Sequence, residues 1–570
     1  MRLAWAILLF AFAADAATVP TNSARIGNYP TAQAKRTNYV LGVSHTGSNG
    51  IASLYAPSNI VESVVGTNVF YVLPGDNLSN KLWNLPNNSS LVLSPDVFPV
   101  PLLGSHPDAT AYSLLLPNKT NVTIYGYGAI LSNTTPAVAG HMLGASNFHN
   151  LKILGLEFAG GGIVDSNTGF PGLLVLDRTG TRLTVQHCTF RDSVKGIKAW
   201  TNSPTLSDLW YLNNVFTRLG DTNHPGVGGS GIDGSAIEAW GSRTYAIGNT
   251  VEYCSQGFEI YNQPNETLFS QIYIKDNHFR NNVAVNDICL LENGTMTVTD
   301  LVIENNTFTN AAGVRMGGVS DNAVIKIQGA TVMASRIVGN TASGDVPDFI
   351  YVSPGSISGS IISNNKRKGG SFSCIRFDSL EGCNFNIIAG NNFENVPWRP
   401  FWIEGSGNTI SGNLVRNANT AGVLLSACFV GPDGGGTAST NNNIFGNSFI
   451  DDQGSATTRS GIEFAASANA NYVGHNFYSR VQTNVHDLGA NNRISPRPVL
   501  EGTTTLSSGL ATVSTVWVHA NSRILLTPRA TANAVSGLCV TNVSNGASFQ
   551  IRSESSTDAN RVDWIMSEPQ

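Results

Sequence analysis

A short segment, IENNTF, recurs along this chain in recognisable variants and constrains its fold more than any other feature. The mean interval between copies is about 29 residues, a period typical of solenoids. Twelve copies align on the second Asn, and nine of them carry Asn at that position. The aligned column reads Leu156, Cys188, Asn214, Asn249, Asn277, Asn306, Asn340, Asn365, Asn391, Asn413, Asn447 and His475.

A second column lies two residues after the Asn, and eight of its twelve members are Phe. Apolar residues at alternate positions predict a short strand with one face turned inward. A buried Asn that ends such a strand can bond the Asn of the coils above and below, and each Phe can stack on the next. This column reads Phe158, Phe190, Phe216, Val251, Phe279, Phe308, Ala342, Arg367, Phe393, Val415, Phe449 and Phe477.

These columns predict an all-β chain that folds as a right-handed parallel β-helix of about twelve or more coils, because that architecture stacks equivalent residues. The alternative is that Asn and Gly recur only because they are common in loops. Columns that keep register over twelve copies argue against it. A helical solenoid is disfavoured, since Asn, Gly, Thr, Val and Ile dominate the repeats.

Composition restricts the partners of the chain. Charged residues make up 12% of the 570 residues, and 33 basic against 38 acidic side chains give a formal charge of −5. Asn, Ser and Thr therefore replace the usual surface charges. No basic patch favours nucleic acid as a partner.

The N-terminus has the features of a secretion signal. Residues 1–17 contain Arg2, an apolar run from Leu3 to Ala13, and small residues at an A-x-A spacing. This pattern predicts a cleaved signal peptide and a secreted or cell-surface protein, with an uncleaved anchor as the alternative. Residues 18–68 are predicted to form an N-terminal arm, and no later stretch predicts a membrane span.

Seven cysteines leave at least one thiol unpaired if all pairs are internal. Cys374 and Cys383 are the closest pair in sequence and are candidates for a bridge within one coil, which spacing cannot establish. Cys188 occupies the Asn column and is expected to be a small buried hydrophobe. No Cys or His spacing indicates zinc, so no metal or other cofactor is predicted, with calcium left open.

The start of the repeats resembles a known family. Asn121, Val122, Thr123, Ile124, Gly126 and Gly128 match the entry motif of pectin-lyase-like β-helix proteins. Together with the Asn column, this resemblance covers roughly Phe70 to Ile494 and implies a β-helix over residues 69–495. It implies little about activity, because that scaffold carries lyases, hydrolases, epimerases, adhesins and viral spikes. The adjacent aspartates and Gly-His-Gly of pectin hydrolases are missing from this sequence.

After Pro496 the repeats stop and alternating strands with Gly and Asn turns follow. Residues 496–570 resemble the small C-terminal β modules of bacteriophage tail fibres. Such modules cap or trimerise a fibre, so the resemblance leaves a homotrimer and a simple cap as alternatives. The matching residues are Asn521, Ser522, Arg523, Ile524, Leu526, Ser548, Phe549, Ile551, Ser553 and Trp564.

A second strand recurs about ten residues after each Asn, in forms such as GIKAW, AIEAW and GFEIY. Strand alternation predicts that the third and fifth residues of each five-residue segment face solvent. Equivalent residues of consecutive coils would then lie roughly 4.8 Å apart. Glu238 and Glu259 would then form one outward column. The predicted outward residues are Lys198, Trp200, Glu238, Trp240, Glu259, Tyr261, Cys289, Leu291, Arg315, Tyr351, Arg376 and Asp378.

Paired carboxylates beside exposed aromatic rings are what cleavage of a glycosidic bond requires. We therefore predict Glu238 and Glu259 as acid and base or nucleophile, with Asp233 from the preceding glycine-rich loop as a third catalytic candidate. The predicted substrate-binding residues are Lys198, Trp200, Trp240, Tyr261, His224, Arg315 and Arg376. The structural alternative is that Lys198 merely neutralises Glu238 and nothing is cleaved.

Two functions from different classes follow. The first is a secreted or surface β-helix protein that binds a polysaccharide or cell-surface glycan and cleaves it as a polysaccharide lyase or glycoside hydrolase. The second is a fibre or adhesin without catalysis, whose coils form a rigid stalk. Whether the chain is an enzyme is left open by the sequence.

Overall fold

The computed structural model describes three N-terminal strands and most of residues 68–567. The three strands, Val40–Val43, Ala52–Tyr55 and Val61–Ser63, pair as an antiparallel sheet. The chain divides into two compact units, residues 1–64 and residues 65–570. The predicted signal peptide and most of the predicted arm lie outside the described residues. After residue 68, the segments not described are 103–111, 136–139, 162–171, 200–205, 221–233, 262–266, 283–285, 292–295, 312–321, 379–381, 433–437, 456, 495–499, 516–517, 519–521, 530–536 and 545–546.

The larger unit contains the predicted parallel β-helix, in which each coil contributes strands to three sheets around one apolar core. Sheet 1 carries the second strand of the repeat. Its strands are Tyr112–Pro117, the first parts of His141–Leu154 and Gly172–Gln186, Lys195–Ala199, Ser235–Ile237, Gln256–Tyr261, Asn286–Leu291, Ala323–Gln328, Asp348–Val352, Ile375–Phe377, Phe401–Ile403, Cys428–Val430, Ser460–Phe464 and Thr483–Asp487.

Sheet 2 precedes the column of Asn residues. Its strands are Val69–Val72, Ser89–Leu93, Thr120–Tyr125, the later parts of His141–Leu154 and Gly172–Gln186, Leu206–Leu212, Ser242–Ile247, Leu268–Lys275, Thr297–Glu304, Thr331–Met333, Arg336–Val338, Ser356–Ser358, Ile361–Ser363, Ile387–Ala389, Thr409–Ser411, Asn443–Phe445, Tyr472–Val473 and Arg493–Ile494. A single described helix, Leu78–Trp83, lies between its first two strands.

Sheet 3 follows the Asn column and contains 14 strands within the described part of the chain. They are Val97–Val100, Ile130–Asn133, Glu157–Ala159, Thr189–Ser193, Val215–Leu219, Thr250–Glu252, His278–Arg280, Thr307–Asn310, Thr341–Gly344, Lys366–Lys368, Asn392–Val396, Leu414–Ala418, Ser448–Ile450 and Phe477–Ser479.

The turn from sheet 2 to sheet 3 explains why the repeats contain NN, DN and GN. The residue before each column Asn adopts a left-handed backbone conformation, which only Gly, Asn and Asp visit readily. Asn305, for example, has a φ of 57° and Gly339 a φ of 71°. The other residues of this kind are Asn213, Gly248, Asp276, Asn364, Gly390, Gly412 and Gly446.

The predicted Asn ladder is confirmed and runs as one continuous chain of hydrogen bonds. The Oδ1 of Asn249 accepts from the backbone N–H and the side-chain amide of Asn214, at 2.9 and 3.1 Å. Its own Nδ2 donates to the carbonyl of Tyr211 and to Oδ1 of Asn277, at 2.8 and 2.9 Å. Each buried amide is thus satisfied by the coils on either side, so the ladder fixes the register between coils.

The last member of both columns was predicted wrongly. Asn476, not His475, accepts from Asn447 at 2.9 Å, and Tyr478, not Phe477, pairs with Phe449. The prediction matched the ring at residue 477 to the Phe column. The ladder decides the register instead, because only an amide can both accept from one coil and donate to another.

A second ladder, which the sequence interpretation missed, runs through the coils that follow Asn386. Its residues lie five positions before those of the first ladder. Asn408 accepts from the backbone and amide of Asn386 at 3.0 Å and donates to Asn442 at 3.0 Å. Asn471 and Asn492 continue it. The repeated pattern Asn-x-x-x-Gly-Asn, as in NTISGN, carries the signal for it.

The Phe column packs inside sheet 3. The ring centroids of Phe158 and Phe190 lie 4.8 Å apart and those of Phe279 and Phe308 4.9 Å apart, with nearly parallel planes. Arg367 takes one position in this column and is only 1% exposed. Its guanidinium donates to backbone carbonyls of the following turn, those of Gly369 at 3.0 Å and Phe372 at 3.1 Å.

All seven cysteines are free, so the bridge between Cys374 and Cys383 that the sequence left open is not formed. Both side chains are fully buried in the core. Burial raises the pKa of each of these thiols to about 12, which suppresses the reactive thiolate. Cys188 is buried in the ladder position, as predicted.

The C-terminal module has a separate apolar core. One antiparallel sheet contains Leu500–Thr505, Arg561–Ser567 and Arg523–Arg529, and the other contains Leu510–Ser514, Ser548–Ser553 and Leu538–Ser544. Phe549 and Trp564 pack edge to face with ring centroids 5.4 Å apart. Across the part of the chain described here, no helix has the length and apolar character needed to cross a membrane.

Removing one ladder amide should destabilise the β-helix strongly. We expect Asn306→Ala to lower the free energy of unfolding by about 3 kcal/mol, because it leaves the buried N–H of Asn277 and the carbonyl of Ile274 without partners. Denaturant titration followed by circular dichroism measures this. The control is Asn305→Gly, next to it in the turn and exposed, with an expected change of about 0.5 kcal/mol. Equal effects of the two changes would contradict the ladder.

Arg367 should contribute to stability through its buried carbonyl contacts. We expect Arg367→Ala to cost about 3 kcal/mol, from the cavity and the carbonyls left unsatisfied. The matched control is Arg416→Ala, an exposed arginine of sheet 3 paired with Asp452, with an expected cost below about 1 kcal/mol. A cost for Arg367→Ala no greater than that of the control would show that the buried guanidinium is not needed.

Candidate functional site

The strand register of sheet 1 stacks one residue from each coil into a single file. Ile197 pairs with Ile237, so Lys198 lies above Glu238, and Phe258 pairs with Ile237, so Glu238 lies above Glu259. We call this column the sheet 1 file. Its members are Lys198, Glu238, Glu259, Cys289, Lys326, Tyr351, Arg376, Trp402, Phe429, Glu463 and His486.

The predicted neighbourhood of Glu238 and Glu259 is therefore found, but their predicted exposure is wrong. Glu238 is 6% exposed and Glu259 is 4% exposed. Tyr351 and Arg376 are likewise buried. Strand alternation correctly gives the face on which these side chains lie, and it carries no information on how deeply neighbouring groups cover that face.

Trp240 was predicted to face solvent and instead lies in the core, with 1% exposure. The strand Ser235–Ile237 ends before it, so the alternation used for the prediction no longer applies. Its indole N–H donates to the carbonyl of Ile237 at 3.2 Å, and its ring packs edge to face on Phe258. Trp240 cannot stack on a sugar. Tyr261, at the end of its strand, is half-buried.

Arg315 was predicted to occupy the sheet 1 file, and Lys326 occupies that position instead. This coil has a longer connection before its strand Ala323–Gln328, so the fixed offset of about ten residues from the ladder Asn fails here. Arg315 itself lies outside the described residues, as do Trp200, His224 and Asp233 and the rest of the loop 221–233. Their predicted roles stay predictions.

Lys195 is the residue at this site that sequence reasoning missed. Its Nζ forms an ion pair with Oε2 of Glu238 and lies 3.7 Å from Oε2 of Glu259. Lys195 is 4% exposed. Alternation placed it on the inward side with Ile197, but it is the first residue of its strand and its long side chain reaches the carboxylates. The cation that pairs with Glu238 is therefore Lys195, where Lys198 was expected.

A neutral imidazole, that of His141, lies near Lys198 of the sheet 1 file. The backbone N–H of Gly172 donates to Nδ1 of His141 at 3.0 Å, so the ring proton resides on Nε2. Burial, together with the positive charge of Lys198, lowers the pKa of His141 to about 3. His141 is therefore a neutral donor next to a cation.

The lower half of the sheet 1 file alternates cations with aromatic rings. The guanidinium of Arg376 lies 4.4 Å from the ring centroid of Tyr351 and 4.7 Å from that of Trp402. Lys326 lies over the other side of this group, 5.7 Å from the Tyr351 ring. Arg376 also donates to Asp378 at 2.7 Å. Cation–π contacts of this kind hold the guanidinium in a fixed orientation.

A row of partly exposed aromatic residues does exist, in sheet 2. Trp210, Tyr245 and Tyr273 stack along the coils with ring centroids 5.8 and 4.9 Å apart and interplanar angles of 4° and 2°. The prediction placed such a row in sheet 1. Aromatic residues at the start of the segments WYLNN, YAIGN and YIKDN carry the signal for sheet 2.

No cluster of three or more His, Cys, Asp or Glu residues suited to a metal ion occurs in the described part of the chain. The sequence left calcium open, and this point stays a prediction. The buried carboxylates of sheet 1 are paired with lysine and arginine, as in Glu238 with Lys195 and Asp348 with Arg376.

Comparison with known proteins gives one family match. Residues 500–567 match the family described as the K1 capsule-specific polysaccharide lyase, C-terminal domain. No curated protein matches the chain.

Among solved structures, the tailspike protein of E. coli bacteriophage HK620 in complex with a pentasaccharide is 12% identical, with a TM-score of 0.46 over 89% of this chain and 86% of that one. A mutant of the same tailspike in complex with a hexasaccharide is 13% identical, with a TM-score of 0.45 over the same shares. The Dettilon tailspike protein is 14% identical, with a TM-score of 0.35 over 87% of this chain and 94% of that one.

Proposed function

We propose that this protein binds a polysaccharide along the sheet 1 file and cleaves it with Glu238 and Glu259. One observation carries the proposal. The two carboxylates occupy adjacent coils on one face, and a single lysine, Lys195, lies against both of them.

The spacing of the coils suits glycosidic chemistry. Adjacent coils lie roughly 4.8 Å apart, which places two in-register carboxyl groups near the separation of about 5–5.5 Å typical of retaining glycosidases. One carboxylate then attacks the sugar, and the other protonates the leaving oxygen.

The contacts of the two carboxyl groups suggest which one is the nucleophile and which one is the proton donor. Lys195 pairs directly with Glu238 and favours its carboxylate form, which suits a nucleophile. Oε2 of Glu259 is buried and has no hydrogen-bond partner among the described residues. We assign Glu259 as the proton donor, because Lys195 pairs directly with Glu238 and lies farther from Glu259, at 3.7 Å from its Oε2.

The length of the site favours a polymer as substrate. Charged and aromatic side chains occupy every position of the sheet 1 file from Lys198 to His486 except that of Cys289. A straight row of this kind suits an extended glycan better than a small molecule. The family matched by residues 500–567 is named for a capsule polysaccharide lyase, which supports a polysaccharide as the substrate. Because lyases cleave by elimination, elimination is the alternative to hydrolysis.

The second candidate function is a rigid fibre or adhesin without catalysis. The burial of Lys195, Glu238 and Glu259 favours it, since a neutralised ion cluster of this kind also occurs as a structural element. Both candidates are proposed to act outside the cell, at a cell or virion surface, and the homotrimer predicted from the C-terminal module belongs to this proposal. Light scattering with and without residues 500–567 tests the trimer.

The carboxylates should be required for cleavage. We expect Glu238→Gln combined with Glu259→Gln to lower the cleavage rate by at least about 10²-fold, the usual contribution of positioned acid and base groups. The assay screens acidic and neutral polysaccharides for new reducing ends and for the absorbance of unsaturated ends. Hydrolysis gives only the former, and elimination gives both.

The matched control for this pair is Glu252→Gln, a partly exposed glutamate of sheet 3 on another face. It should leave the rate unchanged. An unchanged cleavage rate in the double variant would contradict the assignment of Glu238 and Glu259. An absence of cleavage with every polysaccharide, together with retained binding, would favour the adhesin.

Lys195 should stabilise the fold only because the carboxylates are charged. We expect Lys195→Met to lower the free energy of unfolding by about 3 kcal/mol at neutral pH, since it leaves the buried carboxylate of Glu238 without its cation and next to Glu259. Adding Glu238→Gln and Glu259→Gln should restore most of the loss. Denaturant titrations of the single and triple variants measure this. A triple variant no more stable than Lys195→Met would contradict the charge-based account of this cluster.

A further inference from the structure

Two arginines, Arg376 of the sheet 1 file and Arg399 just before the strand Phe401–Ile403, are packed among aromatic rings. Arg376 lies between Tyr351 and Trp402, with its guanidinium carbon 4.4 and 4.7 Å from their ring centroids. Arg399 lies 4.0 Å from the ring centroid of Phe429 and 5.3 Å from that of Trp402. Both guanidinium groups therefore flank the same indole ring in fixed orientations.

The charges in this region do not cancel fully near neutral pH. Lys326, Arg376 and Arg399 bring three positive charges, and the carboxyl groups on the same part of the sheet are Asp348, Asp378 and Glu404. Burial raises the pKa of Asp348 to about 7, so it carries its negative charge only part of the time near neutral pH. By contrast, in the upper half Lys195 forms an ion pair with Glu238 and lies 3.7 Å from Oε2 of Glu259.

The same region contains buried indole donors without acceptors. The Nε1 atoms of Trp402 and Trp398 are both buried and form no hydrogen bond within the described residues. Trp402 as a residue is 8% exposed. A buried indole N–H normally finds a partner, since an unsatisfied donor costs about 1–3 kcal/mol. These donors therefore point to a missing acceptor.

The rim of the region offers partly exposed rings. Trp398 stacks on Phe372 with centroids 5.3 Å apart and an interplanar angle of 13°, and both side chains are half-buried. Phe372 also covers Arg376, at 5.3 Å from its guanidinium carbon. Aromatic faces next to oriented guanidinium groups suit a sugar ring that carries an acidic substituent.

We propose that Arg376, Arg399 and Trp402 form a second glycan subsite, separate from the cleaving carboxylates, which takes the carboxylate of an acidic sugar residue. Arg376 lies five coils below Glu238, about 24 Å at the spacing of neighbouring strands. The subsite deepens the proposed function, since it names a polysaccharide with acidic residues as the ligand. Guanidinium groups bind the carboxylate, and the indole N–H of Trp402 donates to an oxygen of the same sugar.

The test uses monosaccharides, so it does not require the natural polymer or any cleavage. The probes are glucuronate, galacturonate and N-acetylneuraminate, each compared with its uncharged methyl ester. Binding to the full chain is followed by tryptophan fluorescence and by saturation-transfer NMR. We expect at least one acid to bind with a roughly millimolar dissociation constant, and at least about tenfold more tightly than its ester.

Two substitutions separate the charge from the indole donor. Arg376→Met should weaken binding of the acid by at least about tenfold and leave binding of the ester unchanged. Trp402→Phe keeps a ring and removes the N–H, so it should weaken binding of acid and ester alike. Arg399→Met provides a second test of charge if Arg376→Met melts at a lower temperature than the unmodified chain. The matched control is Arg243→Met, an exposed arginine of sheet 2, which should change nothing.

The proposal is overturned if none of the three acids binds at millimolar concentration, if the esters bind as tightly as the acids, or if both arginine variants bind the acid normally. These outcomes leave the proposed function untouched, because cleavage depends on Glu238 and Glu259. Conversely, loss of cleavage activity without loss of acid binding would concern the proposed function and not this subsite.

Discussion

The Asn ladder is the interaction on which the rest of the structure depends. Each amide accepts from one coil and donates to the next, as Asn249 does between Asn214 and Asn277, so no coil can shift by one residue without breaking a buried hydrogen bond. A shift of one residue would also turn every inward side chain of a strand outward. The ladder therefore sets the register in which all other columns are read, including the interior Phe column and the sheet 1 file.

The same register concentrates charge in a way that a single strand cannot. Glu238 and Glu259 are 21 positions apart in sequence, yet they become direct neighbours, with Lys195 against both. Burial makes this arrangement strong, because ion pairs are screened little away from water. Farther down, Arg376 is held between two rings by the same stacking of coils. One repetitive scaffold thus presents an acidic centre and a cationic aromatic region on one face.

The fold could be predicted from the sequence because the ladder requires a chemically distinctive residue at each turn. The columns of Asn and Phe, the parallel sheets and the antiparallel C-terminal module all follow from such residues. The site was predicted less completely. Alternation gave the face of Glu238 and Glu259, but it assumed that the strand continues to Trp240 and that every connection has one length, which fails at Lys326. The reach of Lys195 depends on a flexible side chain at a strand end, which no periodicity encodes.

The most direct test of the account is a covalent link across two coils. The register places Glu259 beside the native Cys289, with Cα atoms about 4.8 Å apart, inside the roughly 4.4–6.8 Å range of disulfides. Burial raises the pKa of the Cys289 thiol to about 12 in the folded chain, so the Glu259→Cys variant, made with Cys539→Ser, is oxidised while it refolds. Peptide mass mapping should then give a peptide of residue 259 joined to the peptide of Cys289. Absence of that link, or an equal yield from Ile260→Cys, would mean that the coils are not stacked in the register that brings Glu238 and Glu259 together.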